Sequence, residues 1–260
     1  SRLASLISAT PAPTRIQTLL LACPPGEWHA FPLLLLNLYL RRQGLPVVYL
    51  GANVPVEQMA QTAASIQPRL VVMSAQQFAT AATLKKVAQE LSVQGFHVGF
   101  GGLVFNQAPE LQRSIPGHFL GESLEESLAQ IEHLLASKEQ PPHAIAPDAH
   151  ALLAAGLREK HAQIELAAAL QLQQWRGSAL DAAEAFSYLS SQLQAALELG
   201  ALTFLQYNPE WVSRLQPELL DILLAYRQAL GAELGPAGEP IEQFLSETHA
   251  YILQNQNLRR

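Results

Sequence analysis

The sequence predicts an α/β domain with a parallel sheet, followed by an all-α domain. In residues 15–137, short apolar runs that suit buried strands alternate with amphipathic segments of roughly 10–15 residues. From residue 151 to residue 260, apolar positions follow helical spacing and strand formers are few. Between these regions, residues 138–150 are polar and proline-rich, which is typical of a linker.

The first domain is predicted to contain five strands, at Ile16–Ala22, Pro46–Leu50, Leu70–Ser74, His97–Gly101 and His118–Leu120. We predict helices between and after them at Phe31–Gln43, Val56–Ile66, Ala79–Ser92, Ala108–Ser114 and Leu124–Ser137. Because crossovers between parallel strands are right-handed, these helices should cover both faces of the sheet. The pattern fits a doubly wound, flavodoxin-like sheet, in which ligands bind beyond the carboxyl ends of the strands.

The two ends of the chain are predicted to be helical. Residues 1–14 contain "RLASLIS", which we interpret as an N-terminal helix remnant. Residues 151–260 contain four long segments with helical spacing, separated by glycines and prolines, and we expect five or six helices there. This domain is interpreted as a cap, an oligomerisation bundle or a second ligand-binding domain.

Composition excludes several classes of protein. The net charge is −6, and residues 1–140 carry nine basic and nine acidic residues, so the basic surface needed for direct nucleic-acid binding is missing. The single cysteine, Cys23, excludes an internal disulfide and a cysteine-based zinc site, and it fits a cytoplasmic protein. We also expect no membrane span and no signal peptide.

The candidate site lies at the carboxyl ends of the first, third and fourth predicted strands. The segments there are "CPPGEWHAF", "VVMSAQQ" and "VGFGGLVFN". In the first of them, His29 is either an ordinary exposed histidine or a ligand for a metal or an anion. Glu27 is placed to accept a hydrogen bond from its ring. Ser74 could extend that chain, and residues 101–102 would let a bulky ligand approach the backbone closely.

This constellation resembles the cobalamin-binding signature of corrinoid proteins. Glu27 and His29 match Asp/Glu-x-His-x-x-Gly, Ser74 matches Ser-x-Leu, and residues 101–102 match Gly-Gly. His29 and Ser74 are 45 positions apart, and Ser74 and Gly101 are 27 apart. The string "PPGEWHAFPLLLLNLYLRRQGLPVVYLGANVPVEQM" is similar to the MerR-type light-sensing cobalamin regulators of carotenoid synthesis, which share Pro-Pro-Gly-Glu-x-His, Leu-Arg-Arg and Tyr-Leu-Gly-x-x-x-Pro.

The resemblance implies a cobalamin that binds with its own base detached from cobalt. His29 is then the lower axial cobalt ligand, supported by Glu27, and adenosylcobalamin is the expected form. Light would break the cobalt–carbon bond. The resemblance further implies that the corrin ring or the nucleotide tail lies near Trp28, Tyr49, Leu50, Gly51, Asn53, Val54, Ser74, Gln76, Gly101, Gly102, Gly121 and Glu122.

The sequence departs from that family in three respects. Pro32 stands where the family has glycine, and Gln76 stands where it has leucine. The family's helical bundle, with its Trp and Glu-His pair over the upper face of cobalt, is absent before the sheet. In the second domain, Trp175 is followed by Glu184, but residue 185 is alanine, so the Glu-His pair is not found there.

The second domain also resembles the globin-like domains that bind biliverdin in dual-chromophore photoreceptors. Arginines in such a pocket would pair with the propionates. The alternative is that these residues are ordinary core aromatics and solvated charges. The possible bilin pocket comprises His161, Trp175, Arg176, Tyr188, Tyr207, Trp211, Arg214, Arg227 and His249, with Tyr226 and Tyr251 as further aromatic residues.

We therefore expect a light-responsive, cobalamin-binding sensory or regulatory protein that is not itself an enzyme. Its expected partners are copies of itself or a signalling protein. One alternative is a corrinoid carrier of a methyltransferase system. Another is a degenerate cobalamin fold that serves only as an interaction module.

Overall fold

The computed structural model describes residues 2–137, 149–176, 182–200, 202–207 and 219–257. The chain divides into two structural units, Ser1–Ala146 and Pro147–Arg260. The strands of the first unit are β1 Leu19–Ala22, β2 Val47–Gly51, β3 Leu70–Ser74, β4 Val98–Gly101 and β5 His118–Phe119. Its α-helices are α1 Arg2–Ser8, α2 Phe31–Arg42, α3 Val56–Ile66, α4 Phe78–Val93, α5 Leu103–Gln107 and α6 Leu124–Ala136.

The five strands form one sheet in the order β2-β1-β3-β4-β5, and every neighbouring pair is parallel. This is the doubly wound order in which the chain reverses direction between β1 and β3, so a crevice opens beyond the carboxyl ends of these strands. The predicted fold class is confirmed.

Side chains alternate between the two faces of the sheet. Leu19 and Leu21 of β1 lie in one core cluster, together with leucines of α2 and the apolar residues of α6. Leu20, the alternate residue, is also fully buried. Because both faces are covered, the strands carry nearly continuous apolar runs.

The predicted first strand is too long at its start. β1 begins at Leu19, which pairs with Val47 of β2 and Leu70 of β3. Before these partners begin there is nothing for the chain to pair with, and Ile16 is 92% exposed. The other strands differ from prediction by one residue or less at each end.

The predicted helix at Ala108–Ser114 is wrong in type and misses a neighbour. The segment Pro109–Ser114 is a 3-10 helix, and α5 precedes it as a separate α-helix. Ala108, between them, has φ −133° and ψ 78°, which is not helical. Proline disfavours the helical conformation of the residue before it, so Pro109 separates the two helices at Ala108.

In the described part of the second unit, every element is helical. The α-helices are α7 Ala149–Arg176, α8 Ala183–Leu199, α9 Leu219–Leu234 and α10 Glu239–Asn257, with 3-10 helices at Leu202–Tyr207 and Gly235–Gly238. α7 packs against α8 and α9, and α9 packs against α10. α7 begins at Ala149, inside the predicted linker, whose residues 138–148 lie outside the described part of the chain.

The core of the second unit contains one polar pair. Ser190 Oγ and Tyr226 Oη lie 2.8 Å apart, and Tyr226 stacks on Phe186 at a centroid distance of 6.3 Å. Burial raises the pKa of Tyr226, so the phenol stays protonated. Across the described residues of both units, no helix is both long and apolar enough to cross a bilayer.

Cys23 provides a test of the first unit's core. Its side chain is fully buried, and burial raises its pKa to about 12, with a smaller contribution from the charge of Glu27. We expect an aromatic disulfide reagent at pH 8 to label Cys23 on the order of a thousandfold more slowly in the native protein than in urea. Absorbance of the released thiolate measures this. Native labelling at the denatured rate would contradict the burial.

Candidate functional site

The loop between β1 and α2 is fixed by the loop after β2. The Cys23 N–H donates to Gly51 O at 2.9 Å. The Gly26 N–H donates to Asn53 Oδ1 at 2.8 Å, and the Asn53 N–H donates to Glu27 O at 2.9 Å. Asn53 adopts a left-handed conformation, with φ 49°, that asparagine tolerates better than most residues. These bonds hold the Pro-Pro-Gly-Glu segment in one conformation.

The Glu27 carboxylate is the centre of the site. It is fully buried, and its Oε2 accepts hydrogen bonds from the Gln76 N–H at 2.6 Å and from Thr80 Oγ1 at 2.7 Å. Its Oε1 accepts from the His29 N–H at 2.9 Å and lies 2.7 Å from His29 Nδ1. Burial by itself raises the pKa of Glu27, but the hydrogen bonds outweigh burial and hold the pKa below its ordinary value. Glu27 is therefore a buried anion that is satisfied by donors.

His29 is oriented by Glu27 and open to solvent on its other side. Its side chain is 59% exposed, although the carboxylate beside it is fully buried. A carboxylate next to Nδ1 favours the tautomer with hydrogen on Nδ1, which leaves the lone pair on Nε2. The arrangement presents a single nitrogen ligand at the carboxyl edge of the sheet. Among the described residues, no group of three or more His, Cys, Asp or Glu side chains could enclose a metal by itself.

A groove of about 270 Å³ lies beside the carboxyl ends of β3 and β4. It opens on the face of the sheet that α2 and α6 cover, because Val72 and Ser74 point to that face. Its wall is apolar toward the core and polar toward the mouth. The lining residues are Pro32, Leu33, Leu35, Leu36, Val72, Met73, Ser74, Gln76, Gly101, Gly102, Leu103, Asn106, Leu120, Gly121, Glu122, Ser123, Leu124 and Ser127.

The two adjacent glycines have different structural roles. Gly102 has φ 122°, and a Cβ there would lie 2.0 Å from Ala75 O, so the backbone path requires glycine. A Cβ at Gly101 would meet no atom within 4 Å. Gly101 pairs with Ser74 across the sheet and lines the groove. Only Gly101 therefore keeps space free for a ligand.

Gln76 joins three parts of the site. Its backbone N–H donates to Glu27, its Nε2 donates to Ser74 Oγ at 2.7 Å, and its Oε1 accepts from the Leu103 N–H at 3.0 Å. The other departure, Pro32, occupies the first turn of α2, where a helix has no internal use for the backbone N–H.

Gly121 and Glu122 line the groove as predicted from the resemblance. Gly121 has φ 100°, and a Cβ there would lie 2.5 Å from the Glu126 side chain. The Glu122 N–H donates to Glu126 Oε2 at 2.7 Å. These residues shape the rim of the groove through their backbone.

The residues predicted to flank the corrin are distributed over the second strand and its loop. Tyr49 and Leu50 are half-buried, and Tyr49 packs against the core cluster. Val54 is 3% exposed and belongs to the core, and the polar groups of Asn53 support the Glu27 loop. Trp28, by contrast, is 69% exposed beside His29. Of these side chains, Trp28 is the most accessible to a ligand.

Two residues of the site were missed in the sequence. Thr80 binds Glu27 and also caps α4, where Gln77 and Thr80 exchange hydrogen bonds across the first turn. The pattern Gln-x-x-Thr before an apolar helix is the signal that was available. Asn106 lines the groove, and among the described residues none donates to its buried Oδ1. Its position four residues after the glycine pair was the only clue.

The residues of the possible bilin pocket lie in varied surroundings. His161 is exposed, and its Nδ1 lies 2.7 Å from Arg158 O. Trp175 is also exposed, whereas Tyr188, Arg227 and His249 are half-buried. The side chains of Arg176 and Tyr207 are not described, and Trp211 and Arg214 lie outside the described residues.

Comparison with known proteins locates a family within the first unit. Residues 17–129 match the family model for the B12 binding domain. This part of the chain therefore carries a cobalamin-binding domain. A Myxococcus xanthus protein, "HTH-type transcriptional repressor CarA", is 37% identical over 65 residues, which is 25% of this chain and 22% of that protein. The chain thus spans about a fifth of the length of this relative.

Two solved structures are similar at low sequence identity. One is a cobalamin-binding protein from Desulfitobacterium hafniense DCB-2, which is 16% identical with a TM-score of 0.42; the match covers 46% of this chain and 60% of that one. The other is the methanol:cobalamin methyltransferase complex MtaBC from Methanosarcina barkeri, which is 19% identical with a TM-score of 0.45, and the match covers 52% of each chain.

The carboxylate of Glu27 can be tested without any ligand. In Glu27→Gln, the new NH₂ group must face a backbone N–H on either side, that of Gln76 or that of His29. We therefore expect this isosteric change to lower the free energy of unfolding of the first unit by about 1–3 kcal/mol. Urea titration monitored by Cys23 labelling measures the change.

Thr80→Val is the matched comparison, because it removes one donor to Glu27 and leaves both backbone bonds in place. We expect a smaller loss of stability, of about 1 kcal/mol. If Glu27→Gln is as stable as the original protein, the four contacts do not stabilise the fold.

Proposed function

We propose that this chain binds cobalamin with its base detached from cobalt, through Nε2 of His29, and acts as a light-responsive regulatory protein and not as an enzyme. The observation that carries the proposal is the pair formed by buried Glu27 and exposed His29, which stands at the edge of a groove between the sheet and α2 and α6. A detached base needs two things from a protein, a replacement ligand for cobalt and a space for the displaced base.

The described residues fit such a cofactor. The space beside Gly101 would accept atoms, since a Cβ there meets nothing within 4 Å. Asn106 Oδ1 is a buried acceptor at the groove that a ligand donor would satisfy. Glu27 would hold the His29 ring in place and increase its strength as a ligand. When bound, an alkylcobalamin supplies a cobalt–carbon bond that light breaks.

The surface around His29 suits a broad, partly apolar ligand. Trp28, Phe31 and Leu103 are 69%, 66% and 51% exposed, and they stand in the loops and helix starts that follow β1 and β4. Exposed apolar side chains near a ligand position are typical of a binding surface. A corrin ring in contact with these side chains would remove them from water.

The regulatory part of the proposal draws on the partial similarity to a transcriptional repressor. In a cytoplasmic regulator of this kind, the second unit would serve as a cap, an oligomerisation bundle or a bilin-binding domain. Signalling needs two states that the cofactor distinguishes. Copies of this chain or a signalling partner would receive the signal.

Light and dark measurements separate the proposal from its alternatives. The protein is incubated in the dark with adenosylcobalamin, and size-exclusion chromatography is run before and after illumination. A change in assembly state on illumination supports the regulator. Methyl transfer from methylcobalamin in the dark favours a corrinoid carrier, and failure to retain any corrinoid favours a degenerate module. Expression with biliverdin present tests the second chromophore through additional long-wavelength absorbance.

His29→Ala tests the axial ligand. We expect this variant to lose the spectral shift that the original protein induces in adenosylcobalamin in the dark, and to bind at least about 100-fold more weakly. The matched control is His133→Ala, an exposed histidine near the end of α6, which should bind normally. Unchanged affinity and spectrum in His29→Ala would exclude the axial ligand.

The glycine pair provides a second test with an internal comparison. Gly101→Val places a side chain in the groove, so we expect normal stability and cobalamin binding weakened by about 10- to 100-fold. Gly102→Ala should instead destabilise the first unit, because its Cβ collides with Ala75 O. Urea titration and absorbance titration distinguish these effects. Tight cobalamin binding by Gly101→Val would show that the groove is not used.

A further inference from the structure

Gln76 fixes the direction of a hydrogen bond at the groove. The Leu103 N–H can only donate, so the Gln76 amide atom that faces it must be the oxygen. The other end of the same amide, Nε2, then faces Ser74 Oγ at 2.7 Å. Because an amide nitrogen can only donate, Ser74 accepts this bond. The orientation of the amide is thus determined by a backbone group.

The consequence lies in the Ser74 hydroxyl. A hydroxyl has one hydrogen to donate and two lone pairs that accept. Gln76 occupies one of the lone pairs and leaves the hydrogen free. Ser74 is 4% exposed and lines the groove, so a hydrogen that is not used within the protein is available to whatever enters there. A buried donor without an acceptor is costly, which favours a ligand that brings one.

We propose that Gln76 is a positioning residue that keeps Ser74 as a hydrogen-bond donor and so selects a ligand with an acceptor atom in its tail. The inference rests on the proposed function. When the base of cobalamin leaves cobalt, the ring nitrogen that bound the metal becomes a free acceptor. A corrinoid without the nucleotide tail has no such atom to offer. Gln76 thereby makes this chain prefer the complete cofactor.

The side chain of Gln76 can be altered without touching the His29 support. Only the backbone N–H of Gln76 contacts Glu27, so side-chain variants leave that bond in place. Gln76→Glu has the same size and still accepts from the Leu103 N–H. Its second oxygen, however, accepts from Ser74 and consumes the hydroxyl hydrogen. Gln76→Leu removes both side-chain bonds and leaves that hydrogen free.

The experiment compares cobalamin with cobinamide, which lacks the nucleotide tail, by absorbance titration of the full chain in the dark. For the original protein we expect tighter binding of cobalamin than of cobinamide. In Gln76→Glu, this preference should fall by about 10- to 100-fold, with cobinamide binding unchanged. In Gln76→Leu, it should fall by only a few-fold. With Ser74→Ala already present, Gln76→Glu should have no further effect on the preference.

Two outcomes would overturn the inference alone. One is an unchanged preference in Gln76→Glu, and the other is an equal loss of affinity for both corrinoids, which would indicate a general disturbance of the site. If the original protein binds neither corrinoid, the proposed function fails and this inference fails with it. Amide hydrogen exchange at Leu103 checks the geometry without a ligand, because it should quicken in Gln76→Leu and stay slow in Gln76→Glu.

Discussion

The site depends on one buried carboxylate. Glu27 lies in the loop after β1, and it gathers donors from the end of β3, from the first turn of α4 and from its own loop. A buried charge is tolerated only when donors satisfy it, so these segments must meet at this point for the fold to be stable. The same carboxylate orients His29. Stability and the presentation of the ligand nitrogen are therefore the same interaction, viewed from the core and from the surface.

The groove is a consequence of how strands alternate. Ser74 pairs with Gly101, and both face the side of the sheet that α2 and α6 cover. A serine at the end of one strand and a residue without a side chain at the end of the next leave a polar space beneath the two helices. Gln76 closes one side of this space by linking Ser74 to the start of α5. The two departures from the family pattern, Pro32 and Gln76, are both accommodated without strain in the local backbone.

The two units use their polar residues differently. In the first, charged and amide side chains converge beneath His29, where a ligand would use them. In the described part of the second, ion pairs such as Lys160 with Glu233, at 3.6 Å, lie at the helix surfaces, and one hydroxyl pair, Ser190 with Tyr226, lies in the core. A polar pair in an apolar core favours one register of helix packing. This is the pattern of a packed helical scaffold.

The sequence by itself determined the parallel sheet, the positions of its strands and the convergence of His29, Ser74 and the glycine pair, because apolar periodicity and strand order are local properties with a fixed topological consequence. Partner strands decided where β1 begins, and Pro109 divided a helix that periodicity alone had joined. Only the tertiary structure showed that Gly101 frees space while Gly102 serves the backbone, that Thr80 and Asn106 belong to the site, and that Gln76 directs the Ser74 hydroxyl. These facts depend on distances between residues far apart in the chain, and a hydrogen-bond direction is decided only when both partners are in place.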